Sequence, residues 1–149
     1  MKIFLSTAMS NVPMKYKDKH ANNMSLVLKT LNDNPKYDIY SGLTHPAPIN
    51  REINTIKDNK VLYEWYKTLI SKSDIFIADV TYPSTGVGIE LNIASNFKKP
   101  IYLIADSSIT KEDEVSRMII GIPYFIKILR YTNSSGIVIE SLLNEYSFS

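Results

Sequence analysis

Apolar, β-rich runs alternate along the chain with segments whose apolar positions recur at helical spacing. That alternation is the pattern of a mostly parallel sheet covered by helices on both faces. The runs predict strands near residues 2–6, 36–40, 75–80, 100–105 and 124–129, with helices near 22–33, 57–73, 87–98, 111–120 and 135–146 as the crossovers. In the second helix Val61, Leu62, Trp65, Leu69 and Ile70 form one apolar stripe. Thr110 with Asp113 three residues later resembles a capping box and predicts a helix start there. Thr44 to Asn50, with Pro46 and Pro48, reads as an irregular loop, a lid or wall for a site. There is no internal repeat, low-complexity tract or linker, so residues 1–149 read as one domain. A chain of that length buries about two thirds of its unfolded surface without covalent staples.

Composition narrows the chemistry. The chain has no cysteine, which suits a reducing compartment and removes disulfides, thiolate nucleophiles and cysteine-ligated metals. Met1 to Thr7 holds too few apolar residues for a signal peptide or a membrane span, so a cytoplasmic protein without a membrane partner is expected. The net charge is +2, with lysines dispersed apart from a small cluster at Lys15, Lys17, Lys19 and His20. That balance does not call for a nucleic-acid polymer as partner.

The stretch with most chemistry is Pro83-Ser84-Thr85-Gly86-Val87-Gly88-Ile89-Glu90, between the apolar run Ile75 to Val80 and an amphipathic segment. Strand, small-residue loop and helix N-terminus in that order form the ligand-binding end of open α/β sheets. Gly86 and Gly88 leave room for a ligand or permit unusual dihedrals, Ser84 and Thr85 supply hydroxyls, and the free amides of the helix start suit an anion. Glu90 is expected in the first helical turn. There a carboxylate can simply favour the helix dipole, but Val87, three residues earlier, has no oxygen with which to complete a capping box. Glu90 is therefore the first candidate for catalysis. His20 and His45 lack metal-ligand spacing and read as solvated loop residues, so no metal is assigned. Asp74 and Asp79 flank the third strand, as strand-end groups bonding loop amides or as catalytic helpers, with Asp79 nearer the loop. Tyr37, Tyr40, Tyr102 and Tyr124 fall in or beside strands and read as packing residues. Tyr66 and Tyr82 stand apart from them, and Trp65 reads as core or interface.

The run from Ser73 through Ala94 and on through Lys99-Pro100-Ile101 resembles the core of the nucleoside 2-deoxyribosyltransferase superfamily. Its Pro-Ser-x-Gly-Val-Gly-x-Glu-Leu segment after an Ala-Asp-Val strand end is most similar to the 2'-deoxynucleoside 5'-phosphate N-hydrolases, and a looser likeness extends from the first strand through Ser116 to Gly121. The resemblance implies that Glu90 is the nucleophile that attacks C1' of a deoxyribose, expels the nucleobase and leaves a glycosyl ester. It implies that Ser84 contacts a 5'-phosphate, and that Ser116 and Met118 belong to a segment supplied by the neighbouring subunit, hence a homodimer or higher homo-oligomer with shared active sites. Two departures stand out. Tyr66 occupies the place of a family aspartate that positions sugar or protonates base, with Glu64 or Asp58 as substitutes if the helix register shifts. After the first strand, Thr7-Ala8-Met9-Ser10-Asn11 replaces a glycine-rich, arginine-containing phosphate loop, leaving Thr7, backbone amides and Lys15, Lys17 or Lys19 for that work.

These readings combine into a single-domain flavodoxin-like or Rossmann-like enzyme with a five-stranded parallel sheet, which cleaves the N-glycosidic bond of a 2'-deoxynucleoside or its 5'-monophosphate without a cofactor. Glu90, Tyr66 and Asp79 are the expected catalytic residues, and Thr7, Ser84, Gly86, Gly88, Ser116 and Met118 the expected substrate-binding ones. A base-exchanging deoxyribosyltransferase and a nucleotide-binding sensor without turnover are the alternatives.

Overall fold

The computed structural model describes residues 1–43 and 56–132. The predicted helix at 135–146, the Thr44 to Asn50 loop and His45 lie outside the described residues. Five strands, β1 (Lys2–Ser6), β2 (Asp38–Ser41), β3 (Ile75–Asp79), β4 (Ile101–Asp106) and β5 (Phe125–Tyr131), form one sheet in the order β2-β1-β3-β4-β5. All four pairings are parallel. This is the flavodoxin-like order, and its strand sequence reverses direction between β1 and β3, the switch point at which such sheets bind ligands.

Strand alternation sends successive side chains to opposite faces. Ile3, Leu5, Ile75, Ile77 and Ile104 pack on one face against Met24, Val27 and Leu31 of helix α1 (Lys17–Asn32). Phe4, Phe76, Ala78, Leu103 and Ala105 pack on the other against Ile70 of α2 (Ile56–Lys72) and Val87, Leu91 and Ala94 of α3 (Thr85–Asn96). Every residue of β3 and β4 is buried, as central strands covered on both faces require.

Several element boundaries differ from the sequence reading. α1 starts at Lys17, well before residue 22, on an N-cap, Tyr16, that makes no side-chain bond. β2 begins at Asp38 and not at 36. The predicted helix 111–120 is two short pieces, a 3-10 turn at Glu112–Glu114 and α4 (Arg117–Ile120). The Thr110/Asp113 capping box is absent: the Glu114 carboxylate accepts from the Lys111 amide at 2.7 Å, while the Thr110 hydroxyl donates to the Thr81 carbonyl. On α2 the stripe is narrower than expected, because Val61 is 49% exposed while Ile70 is fully buried. Tyr124 also departs from the packing role read for it, being exposed with φ 66°.

Candidate active site

Glu90 lies in the second turn of α3, because the helix begins at Thr85 on the N-cap Ser84, whose hydroxyl accepts from the Val87 amide at 3.4 Å. The expectation of a first-turn carboxylate is thereby corrected, and favourable placement at the helix dipole no longer accounts for Glu90. Its position does. Three residues beyond Val87 and four before Ala94, both buried, it sits at the margin of the face that α3 turns to the sheet. Ser6, the last residue of β1, points to that same face, and its Oγ donates to Glu90 Oε2 at 2.5 Å. In the β1–β3 register Ser6 is paired with Ala78, a side chain small enough to leave the carboxylate room. Burial pushes the Glu90 carboxyl up from 4.5 to about 7, against the Ser6 hydrogen bond that favours its charged form.

Tyr66 reaches the same place from α2. Its ring packs edge-on against Phe4 at 6.0 Å and against Trp65 at 5.1 Å, which fixes it beside β1. Trp65 is half-buried. The end of β2 must yield to the Tyr66 hydroxyl, since a Cβ at Gly42 would lie 2.2 Å from that oxygen. Any larger residue there would force the Tyr66 side chain or the backbone to shift. Burial first, and the neighbouring Glu90 charge second, raise the Tyr66 phenol above its ordinary 10.0, so it stays a protonated donor at neutral pH. Ser6, Thr7, Ser41, Gly42, Tyr66 and Glu90 together line a cavity of about 20 Å³ at the C-terminal ends of β1 and β2.

Asp79 behaves differently. Like Ile75 and Ile77 it faces α1, on the side of the sheet away from Glu90. Its Oδ1 accepts from the Thr81 amide at 2.9 Å and the Thr81 hydroxyl at 2.5 Å. Its Oδ2 lies 3.4 Å from the Thr7 hydroxyl and 3.5 Å from His20 Nδ1. Burial raises the Asp79 carboxyl, and Thr81, His20 and Thr7 work against that rise. His20 is the clearest correction to the sequence reading. It is 7% exposed, on the buried face of α1, with Nε2 3.0 Å from Thr7 Oγ1 and 3.1 Å from the Ala8 carbonyl. A pattern was available: His20, Met24, Val27 and Leu31 recur at helical spacing, a stripe that becomes visible once the helix is extended back to Lys17. Tyr82, singled out in the sequence, is buried with its ring edge-on to His20.

The remaining site candidates gather elsewhere. Ser84 and Ser116 of one chain line a separate space of about 710 Å³ with Thr85, Thr110 and Glu114. Thr7 lines a third, of about 480 Å³, with Met9, Lys17, His20 and Leu43. Glu90 thus lies in the smallest of these three cavities. The half-buried Glu90 carboxyl with its Ser6 hydrogen bond belongs to the smallest cavity. Gly86 and Gly88 have no positive φ, so the unusual-dihedral part of their expected role is absent; a Cβ on Gly88 would meet nothing within 4 Å. Lys19 is engaged at 2.9 Å with Asp106, whose carboxyl burial would raise but the Ser108 hydroxyl and Lys19 hold below the usual range. Met118 is 85% exposed. Ser6, Ser41, Gly42 and His20 lie beside the candidate residues and were not among those the sequence reading proposed for the site. Among the described residues no group of three or more histidine and acidic side chains could hold a metal ion, and no helix is long and apolar enough to cross a membrane.

No protein-family model and no curated protein matches the sequence. Solved structures match at the level of fold. A Clostridium botulinum CMP N-glycosidase, BcmB, is 19% identical with a TM-score of 0.60, over 98% of this chain and 99% of that one. A 2-deoxyribosyltransferase from Bacillus psychrosaccharolyticus is 21% identical with a TM-score of 0.61, over 85% of each chain. A conserved protein from Enterococcus faecalis V583 is 18% identical with a TM-score of 0.58, over 98% and 96%.

Proposed function

We propose that the protein cleaves the N-glycosidic bond of a 2'-deoxynucleoside or its 5'-monophosphate, with Glu90 as nucleophile. The observation that carries this reading is the Glu90 carboxylate itself, half-buried in a cavity at the C-terminal ends of β1 and β2, held by Ser6 and flanked by the protonated Tyr66 hydroxyl. In the reaction a bond forms between a Glu90 oxygen and C1' as the C1'–N bond breaks, and the electron pair departs on the base nitrogen. Tyr66 or a water supplies the proton that the base takes up. Water then attacks C1' and returns its proton to the group that protonated the base, which breaks the ester, releases the sugar and restores the carboxylate. Fold likeness to an N-glycosidase and a deoxyribosyltransferase supports this chemistry.

Hydrolysis is preferred to base exchange because Ser84 and Ser116 match positions of the nucleotide branch, Ser84 acting in its own chain and Ser116, with Met118, at the site of the neighbouring subunit. Their hydroxyls and the amides at the start of α3 are the proposed phosphate contacts. Thr7 is the proposed sugar contact, and Gly86 and Gly88 give clearance. Asp79 is proposed to act indirectly, through Thr7 and His20. A homodimer is part of the proposal, with Met118 offered to a second copy, as is a cytoplasmic setting; no cofactor enters the mechanism.

Chromatography of free base tests the proposal, using the four deoxynucleosides, their 5'-monophosphates and CMP, with and without an acceptor base. Base released from monophosphates without acceptor, and lost in Glu90→Ala, supports it. New nucleosides formed only with acceptor make the protein a transferase, and binding without release makes it a sensor. Ser84→Ala is expected to weaken monophosphates more than nucleosides; equal losses remove the phosphate role.

A further inference from the structure

The His20–Asp79 pair takes no direct part in that reaction, yet it is built in detail on the α1 side of the sheet. Thr7 is the link. Being the first residue past β1, it lines both the Glu90 cavity and the 480 Å³ cavity, as do Met9 and Leu43. Its hydroxyl stands 3.0 Å from His20 Nε2 and donates to Asp79 Oδ2 at 3.4 Å.

The proton inventory sets its orientation. The Ala8 carbonyl, 3.1 Å from His20 Nε2, can only accept, so Nε2 carries the proton. That N–H is shared between Ala8 and Thr7, and Thr7 Oγ1 therefore accepts from His20. The Thr7 proton is then directed to Asp79, whose other oxygen is held by the Thr81 amide and hydroxyl. A hydroxyl oxygen has two acceptor sites; His20 takes one, which leaves one for a ligand in the cavities that Thr7 lines. His20 cannot swing away, being buried with its ring edge-on to Tyr82 at 5.2 Å.

We infer that His20 and Asp79 preset Thr7 as a hydrogen-bond acceptor for a sugar hydroxyl of the substrate, which makes His20 a positioning residue for the glycosyl group at Glu90. The inference rests on the N-glycosidic reading given above.

The test is a double-mutant cycle read in kcat/KM. Glutamine places an amide N–H where Nε2 was, whereas asparagine replaces Nδ1 and leaves the Thr7 side empty. His20→Asn is expected to lose about 10-fold, the worth of one buried hydrogen bond, and His20→Gln to recover most of that loss. In a Thr7→Val background His20→Asn is expected to cost less than about 2-fold. With 2',3'-dideoxy- and 2',5'-dideoxynucleosides, the effect of His20→Asn is expected to vanish for the one lacking the hydroxyl that Thr7 accepts. Equal activities of the asparagine and glutamine variants, or an undiminished asparagine effect without the Thr7 hydroxyl, overturn the inference. If His20→Asn does not fold, Thr7→Val against Thr7→Ser on the same dideoxy pair decides it: losses in Thr7→Val that ignore the sugar hydroxyls overturn it. Absence of both turnover and nucleoside or nucleotide binding in the unmutated protein overturns the N-glycosidic reading first, whereas an active protein with an additive cycle overturns this inference alone.

Discussion

Replacing Glu90 by glutamine should make the protein more stable at alkaline pH, even as it removes the proposed nucleophile. The carboxyl is raised from 4.5 to about 7, so the native state holds its proton more tightly than the unfolded chain. The sign follows: below about 4.5 the group is protonated in both states and has no cost. Between 4.5 and about 7 the unfolded chain gives up the proton while the native state keeps it, so stability falls across that window and levels off above it, where both states are ionised. At 1.36 kcal/mol per unit, a rise from 4.5 to about 7 corresponds to at most ~3 kcal/mol. Glutamine has nearly the same shape, still accepts from Ser6 Oγ, and never ionises. The stability difference between Glu90→Gln and the unmutated protein should therefore be near zero at pH 4 and grow to about 2–3 kcal/mol at pH 8.5. In a chain of this size that corresponds to roughly 5–10 °C in Tm. Paired urea titrations at the two pH values measure it. A variant that is equally or less stable than its parent at pH 8.5 would refute the claim that this carboxylate is held against its preference.

Three further outcomes follow from the same geometry. If ionised Glu90 is the reacting form, kcat/KM should rise with pH through an apparent pKa near 7, and Ser6→Ala should move that rise to higher pH because the bond it removes favours the charged form; a shift downward or none contradicts the role of Ser6. Gly42→Ala should cost about 1–3 kcal/mol through the clash with the Tyr66 hydroxyl, and Tyr66→Phe should restore part of that stability in the double variant; additive losses in melts would contradict the packing. Tyr66→Phe alone should lower kcat by about 100-fold if the hydroxyl protonates the departing base, and a loss confined to KM would leave it only a binding role.

Much of the fold was legible because the five strands are apolar runs bounded by polar segments, and the order of elements defines parallel crossovers. The boundaries that slipped have physical reasons. The start of α1 is a charged run, Lys17-Asp18-Lys19, after a residue whose side chain caps nothing, so neither hydrophobic period nor cap chemistry marked it. That slip concealed His20, whose stripe depends on the missing turn. The start of α3 was read two residues late because Gly86 and Gly88 resemble loop residues, although both are helical with ordinary dihedrals. Glu90 and Tyr66 were found from chain order and motif, and the structure brings them into one cavity. Ser6, Ser41 and Gly42 were not, because what selects them is proximity across the sheet: Ser6 becomes a partner of Glu90 only when α3, packed over β3 and β4, brings its second turn within reach of the end of β1, and Gly42 matters only when Tyr66 arrives from α2.

The covalent role of Glu90 is open to direct measurement by mass spectrometry. Protein quenched in acid during turnover of a 2'-deoxynucleoside 5'-monophosphate, then digested, should carry a deoxyribosyl phosphate on the peptide containing Glu90, and Glu90→Gln should carry none. Release of free base with an unmodified Glu90 peptide at every quench time, or equal release by the Glu90→Gln variant, would contradict the account.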